Sequence, residues 1–285
     1  MSWSTTWGNS TLTDANAPGL RPVADVPPAL AQYDAFTAAL GGRTPAIFLD
    51  YDGTLTPIVA RPELAVMSEV SRATVDALAR KLPVAVVSGR DRPDVQKLVG
   101  IDSLIFAGSH GFDIHVPGRE VMGSEIIDTY TPVLDRVDAR LHEVLDPIKG
   151  ALVERKKFSI AAHYRLVSDD DYPRFRAALD QVEAEAPELK EKLGKKVFEL
   201  QPKIDWDKGK CVLHLLQVLG LEGDAYVPMF FGDDVTDEDA FRELQGRGVT
   251  VICAEPEADL ARKTYATFRV DTVDEVIQLL RRMTP

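Results

Sequence analysis

Five short apolar runs, residues 45–49, 83–87, 104–107, 226–231 and 249–252, alternate with stretches of helical periodicity, and this alternation constrains the chain more than any other feature. Each run is short and apolar throughout, so each reads as a strand buried on both faces. Strands of that kind joined by helices build an α/β fold with a doubly wound parallel sheet. The helix signals agree. Ser68 can cap a helix whose Val70, Ala73, Ala77, Leu78 and Leu82 follow helical spacing, and Pro93 suits a first turn. A helix from Lys208 stops at Gly220, and Thr272 with Glu275 forms a capping box for the last one. Ligands of such sheets lie beyond the carboxyl ends of the strands. Asp50 and Asp52 follow the first run, Ser88 the second, and Asp233 with Asp234 the fourth, so the topology predicts that these residues meet.

Two carboxylates two residues apart at the mouth of a core strand repel each other and lose hydration. They persist most easily where a divalent cation or a catalytic proton uses them, although Asp and Gly also simply favour a turn. Magnesium takes oxygen ligands and usually keeps waters and substrate phosphate among them, so if Asp50, Asp52 and Asp233 share one site, two carboxylates and a backbone carbonyl would suffice to hold it. A phosphoryl group clamped there could be attacked in line by Asp50, forming an aspartyl-phosphate. Asp52 would then protonate the leaving sugar oxygen and later activate water. Candidates to hold the phosphoryl oxygens are the Ser88 hydroxyl, the amides near Gly53 and Gly89, and Lys208. Lys208 starts a helix, where its ammonium and the positive helix end favour the same anion; a solvated lysine is the ordinary alternative. Asp234 and Asp237 either accept hydrogen bonds from water on the metal or favour the start of the next helix.

The chain of 285 residues carries a net charge of -12, which argues against a nucleic-acid or anionic-membrane surface. With 45% hydrophobic and 27% charged residues it has the composition of a soluble globular protein, long enough for two domains. Cys211 and Cys253 suit reduced core thiols, no apolar run reaches the length of a membrane span, and the N-terminus lacks the layout of a signal peptide. A cytoplasmic monomer is the expectation, and the sequon at Asn9 is read as chance. Residues 1–30, rich in Ser, Thr, Asn and Pro, read as a flexible tail, with Trp3 and Trp7 as candidates to dock it.

Residues 31–114 and 203–285 form the expected catalytic core, and residues 115–202, where the pattern changes, an inserted α+β domain. In the hairpin-like stretch 152–165, Glu154 and Lys156 point one way, and His163 and Arg165 share a face opposite Ile160, Ala162 and Tyr164. Glu199 on a third strand adds to one polar face. Alone, that face reads as a solvated surface with cross-strand ion pairs. Residues 172–193 read as a mixed-charge helix interrupted near Pro187.

Asp50-Tyr51-Asp52-Gly53-Thr54, Ser88-Gly89-Arg90, Lys208-Gly209 and Gly232-Asp233-Asp234-Val235-Thr236-Asp237-Glu238-Asp239-Ala240-Phe241 resemble the four ordered motifs of the haloacid dehalogenase superfamily. With Gly108-Ser109-His110-Gly111 and the run from Glu154-Arg155-Lys156-Lys157 to His163-Tyr164-Arg165, the chain is similar to trehalose-6-phosphate phosphatases, whose cap is inserted between the second and third motifs. The resemblance implies a Rossmann-like core with Asp50 as nucleophile, Asp52 as acid/base and carbonyl metal ligand, and Asp233 as third protein ligand to Mg2+. It places Ser88 and Lys208 on phosphate, with Gly53 and Gly89 beside it. Sugar recognition falls to Glu154, Lys156, Arg165 and Glu199, with Arg90, His110 and His163 as further rim candidates. A mobile cap would close over the substrate and exclude water. The competing readings are a phosphatase of sucrose 6-phosphate or another glycosyl phosphate, a phosphomutase, and a non-catalytic sugar-phosphate sensor. Dehalogenase chemistry is disfavoured, since a halide leaving group needs no proton from Asp52.

Overall fold

The computed structural model describes residues 19–59, 61–119, 124–194, 196–254 and 261–284; Trp3, Trp7 and Asn9 lie outside them. In chain order come β1 (Arg21–Pro22), α1 (Tyr33–Ala39), β2 (Thr44–Leu49), α2 (Glu69–Ala79), β3 (Val84–Val87), α3 (Arg92–Val99), β4 (Ile105–Gly108) and β5 (Asp113–His115). Then follow α4 (Ser124–Leu145), β6 (Leu152–Arg155), β7 (Ile160–His163), α5 (Tyr172–Glu185), β8 (Leu189–Gly194) and β9 (Val197–Pro202). The chain ends with α6 (Lys208–Leu219), β10 (Tyr226–Gly232), α7 (Glu238–Glu243), β11 (Val249–Cys253), β12 (Lys263–Thr264), β13 (Phe268–Val270) and α8 (Val273–Met283). It divides into two compact units: residues 1–111, 115–119 and 206–285, and residues 112–114 and 120–205.

The first unit is built on a sheet ordered β13-β11-β10-β2-β3-β4, parallel throughout. Its strands form where the chain is apolar on both faces: Ala46 to Leu49 and Val84 to Val87 are all buried. Ile47, Leu49, Val86, Met229 and Phe231 pack in one cluster with Val75 and Leu78 of α2 and with Val276 and Leu280 of α8. The connections run from β2 outward to β3 on one side and return to β10 on the other, so the strand order reverses between β2 and β10. Leu49 pairs with Val86 and with Phe231, which brings the residues after β2, β3 and β10 to one level at that switch point.

Local signals set the helix ends. The Ser68 hydroxyl accepts the Ser71 amide at 3.0 Å, and the Asp207 carboxylate accepts the Lys210 amide at 2.9 Å. Gly220 closes α6 at φ +68°. Thr272 accepts the Glu275 amide at 3.1 Å, while the Glu275 carboxylate reaches one residue further back than a capping box requires, to the Asp271 amide at 2.7 Å.

Residues 21–30 are not part of a loose tail. Val23, Val26 and Ala29 are buried, β1 pairs antiparallel with β12, and the Ala29 amide donates to the Arg269 carbonyl at 2.8 Å. The prolines that suggested disorder are compatible with a short edge pairing, and the three small apolar side chains supply the burial that orders the segment. The sheet also has one strand beyond the five apolar runs, β13, which is only three residues long.

The second unit has a four-stranded antiparallel sheet ordered β6-β7-β9-β8. Val153, Ala162 and Phe198 face Leu134 and Leu141 of α4 and Phe175 and Leu179 of α5 in its core. The register aligns Glu154, Ala161, Glu199 and Lys192 in one row and Leu152, His163, Val197 and Gly194 in another, both on the opposite face. The helix expected over 172–193 ends at Glu185, and Leu189–Gly194 is a strand instead. Pro187 cannot continue the helical hydrogen bonding and biases the residue before it toward extended backbone.

Candidate active site

Asp50 follows the last residue of β2, and its amide donates to the Phe231 carbonyl at 2.9 Å, which holds it beside β10. The next residues turn at once. The Leu55 amide donates to the Tyr51 carbonyl at 2.9 Å and the Gly53 amide to the Thr56 carbonyl at 2.8 Å. Tyr51 is buried, and its hydroxyl donates to the Ala65 carbonyl at 2.7 Å, so the residue between the two aspartates anchors the turn. Gly53 sits at φ +77°, and a Cβ there would lie 2.2 Å from Asp233 Oδ2. Only glycine meets both demands.

Asp50, Asp233 and Asp237 each offer a carboxylate oxygen within 4.8 Å of the others. Lys208, 2% exposed, donates to Asp50 Oδ1 at 2.9 Å and to Asp237 Oδ1 at 2.6 Å. Asp237 Oδ2 accepts the amides of Asp233 and Asp234, both at 3.0 Å, and thereby shapes the loop after β10. Its side chain lies against Gly232, where an added Cβ would stand 2.4 Å from Asp237 Cγ. Burial pushes the Asp50 carboxyl up to about 7 although Lys208 pulls it down, with Asp237 adding to the rise. Burial, then Asp50, Asp237 and Asp234, push Asp233 up to about 9. Burial opposes the Lys208 ammonium, but Asp237 and Asp50 outweigh it and hold the pKa above the usual lysine value. One ammonium among three crowded carboxylates leaves negative charge uncompensated. That donor set, all hard oxygen, fits a divalent cation, which Asp50 and Asp233 could ligate together.

Asp52 points elsewhere. Arg90 grips its carboxylate through Nε at 2.7 Å and Nη2 at 2.8 Å, and Arg90 also pairs with Asp94 at 3.0 Å. Ser88 is buried at the end of β3, and its hydroxyl accepts the Arg90 amide at 3.2 Å. The loop after β4 supports this segment. The Ser109 amide donates to the Arg90 carbonyl at 2.7 Å, the His110 amide to the Ser88 carbonyl at 2.9 Å, and the Ser109 hydroxyl to Asp91 at 2.7 Å. Ser109 and His110 both take positive φ, 50° and 57°, a strained conformation for residues with a Cβ. The His110 ring lies over Gly89, where a Cβ would meet His110 Cε1 at 2.7 Å. The structure therefore puts His110 in support of the Ser88-Gly89 loop. Sequence reasoning named these residues but missed their joint construction, because positive φ at two successive non-glycine positions has no compositional signature.

In the second unit, Glu154 and His163 share the open sheet face, with Glu154 Oε2 and His163 Nε2 at 3.0 Å. That hydrogen bond holds the Glu154 carboxyl below its usual range against the opposing effect of burial. Lys156 donates to Glu199 Oε1 at 3.3 Å, and Ser159 donates to the same oxygen at 2.5 Å. Ser159 was not among the expected site residues. Arg165 is exposed in the turn after β7, whose last residue is His163, so strand alternation does not set its direction.

Known proteins are similar to this chain over most of its length. The family model described as Trehalose-phosphatase matches residues 48–274. An uncharacterized glycosyl hydrolase of Mycobacterium tuberculosis is 39% identical over 92% of this chain, which spans only 20% of that longer protein. Trehalose 6-phosphate phosphatase RA3 of Zea mays is 38% identical over 90% of this chain and 74% of its own length. The structure of Aspergillus fumigatus trehalose-6-phosphate phosphatase is 25% identical, covers 90% of this chain and 98% of the other, and superposes with a TM-score of 0.63. The match reaches from the strand before Asp50 to the last helix, across every residue of the aspartate cluster, and the chain belongs to the trehalose-phosphatase family.

Proposed function

We propose that the protein hydrolyses trehalose 6-phosphate to trehalose and inorganic phosphate, with Mg2+ as cofactor. The observation that carries the reading is the placement of Asp50, buried and hydrogen-bonded to Lys208, beside Asp233 at the switch point of the sheet. Family membership and the Zea mays relative give the substrate class. Asp50, Asp233 and the carbonyl of Asp52 would hold the cation, which would supply charge neutralisation at the phosphoryl oxygens.

Asp50 is the nucleophile: one carboxylate oxygen attacks phosphorus, the bond to the sugar oxygen breaks, and an aspartyl-phosphate forms. Lys208 fixes the other side of that carboxylate and offsets phosphate charge together with Ser88 and backbone amides near Gly53 and Gly89, the Gly53 amide itself being taken by the Thr56 carbonyl. Asp52 gives a proton to the departing sugar oxygen, then takes one from the water that hydrolyses the acyl phosphate. Arg90 must hand over at least one Asp52 oxygen for this, since both are engaged in the bidentate pair. Glu154, Lys156, His163, Arg165 and Glu199 recognise the sugar: carboxylates accept its hydroxyls, while Lys and Arg donate. Action in the cytoplasm is part of this reading; Cys211 and Cys253 are buried, and no helix among the described residues is long and apolar enough to cross a membrane.

Phosphate release from a panel of sugar phosphates, with and without Mg2+, tests the reading. Expected is a preference for trehalose 6-phosphate that a chelator abolishes. A preference for sucrose 6-phosphate would reject the sugar, and binding without phosphate release would point to a sensor.

A further inference from the structure

Asp113 lies outside every motif, yet it is a wholly buried carboxylate whose Oδ2 accepts from Lys157 Nζ at 2.8 Å. Lys157 belongs to the turn between β6 and β7, and that turn is tied down residue by residue. Arg155 donates to the carbonyls of Lys156 and Ser159 and pairs with Asp135. The Lys156 amide donates to the Ser159 carbonyl at 2.8 Å. Phe158 stacks on Phe112, the neighbour of Asp113, with ring centroids 5.7 Å apart, and Lys157 lies over the Phe158 ring at 5.4 Å. At either end of the turn stand Lys156 and Ser159, both donating to Glu199 Oε1.

Only the Asp113 end of this pair is buried, since Lys157 keeps 36% of its side chain exposed, and desolvating the carboxylate offsets much of its attraction to the ammonium, so the pair is a poor source of stability. What such a pair does provide is a fixed position, since a buried carboxylate tolerates few places for its partner. We propose that Asp113 and Lys157 are positioning residues for sugar recognition. Their pair sets the 156–159 turn, and the turn sets the reach of Lys156 and the orientation of the Glu199 carboxylate. Neither residue needs to touch the substrate. The inference rests on the reading of Lys156 and Glu199 as sugar-binding groups.

The test compares two substrates on the full chain: trehalose 6-phosphate, which requires sugar recognition, and p-nitrophenyl phosphate, which requires only the aspartate chemistry. Variants are Lys157→Met, the double variant Asp113→Asn with Lys157→Met, Lys157→Arg, and Ser159→Ala. Loss of Lys157 alone strands a buried charge and can unfold the second unit, which the double variant avoids by removing both charges; Ser159→Ala probes the next link without touching the pair. Expected in the double variant and in Ser159→Ala is a rise in KM for trehalose 6-phosphate of about tenfold, with kcat/KM for p-nitrophenyl phosphate within about twofold of wild type, as for a small displacement of binding groups. Lys157→Arg should recover most of the loss. Unchanged KM for trehalose 6-phosphate in the folded double variant, or equal losses on both substrates, overturns the proposal alone. Wild-type protein that cleaves p-nitrophenyl phosphate but not trehalose 6-phosphate overturns the sugar assignment and this proposal with it.

Discussion

Arg90 and Asp52 form a two-pronged ion pair, Nε to Oδ2 at 2.7 Å and Nη2 to Oδ1 at 2.8 Å, while Asp50, two residues earlier, is held by Lys208 instead. Two carboxylates that could have repelled each other are thus given separate cations. The separation would suit the two tasks proposed for them, because a nucleophile and a proton carrier need different surroundings.

If Arg90 orients Asp52, removing it should slow turnover more than it weakens binding. For Arg90→Ala, kcat for trehalose 6-phosphate is expected to fall by about 10- to 100-fold, the range of a misplaced acid/base group. Arg90→Lys should restore little, since an ammonium cannot reproduce the paired geometry of the guanidinium. Steady-state kinetics with circular dichroism as a folding control checks this; a kcat within twofold of wild type for Arg90→Ala would remove Arg90 from the catalytic arrangement.

The conversion of Asp50 to Asn separates chemistry from folding. An amide cannot attack phosphorus, so turnover should drop below about one thousandth of wild type. The buried, raised carboxyl is at the same time a liability to the metal-free fold, so the thermal midpoint in chelator should stay level or rise. Wild-type-like turnover by the pure variant would dismiss Asp50 as the nucleophile.

Without a divalent cation the protein should lose stability as pH rises. A carboxyl whose folded pKa exceeds its unfolded value binds its proton longer in the folded state, so its contribution is complete below the unfolded value and declines above it. Asp50 rises from 3.8 to about 7 and Asp233 from 3.8 to about 9, which puts the decline between pH 4 and 9. Stability should fall by several kcal/mol over that range, and Mg2+ should cancel most of the loss. Urea denaturation across that range, with chelator and with Mg2+, measures the slope; Asp233→Asn should flatten it.

Gly53→Ala should damage stability and activity together. At φ +77° an alanine is strained, and its Cβ would occupy space 2.2 Å from Asp233 Oδ2. We expect a stability loss of about 1–3 kcal/mol and a fall in kcat of about 100-fold as Asp233 is displaced. A crystal structure of the variant would show whether the Asp233 carboxylate has moved.

Much of this site can be read from residue order alone, for a physical reason. Buried strands such as β2, β3 and β10 announce themselves as unbroken apolar runs, and a parallel sheet then dictates that Asp50, Ser88 and Asp233 share one end. The second unit was less readable because its elements depend on partners. Leu189–Gly194 reads Leu-Lys-Glu-Lys-Leu-Gly, charges that suit a helix as well as an edge strand, and only pairing with β9 decides. Residues 21–30 read as part of a proline-rich tail because their partners are remote: the Val23 and Ala29 amides donate to the carbonyls of Arg262 and Arg269. The same limit hides Arg90 on Asp52 and Lys157 on Asp113, pairs whose members lie 38 and 44 residues apart. Long side chains meet according to tertiary packing, which residue spacing does not report.

Lys208 offers the sharpest test of how the aspartate cluster is balanced. Its ammonium is almost wholly enclosed and touches both Asp50 and Asp237, so Lys208→Met leaves these two buried carboxylates without their shared cation, beside the partly buried Asp233. Removing one partner from a buried charge pair costs about 3–5 kcal/mol, enough to threaten the fold of a domain this size. The loss should therefore be largest in chelator and shrink with Mg2+, because the divalent ion can replace part of the missing charge. Adding Asp237→Asn to Lys208→Met should also recover stability, since it removes one of the stranded carboxylates, but it should not recover turnover. If Lys208→Met instead melts like the wild type in chelator, the cluster is not held together by its lysine, and the raised pKa values of Asp50 and Asp233 must be relieved by protonation alone.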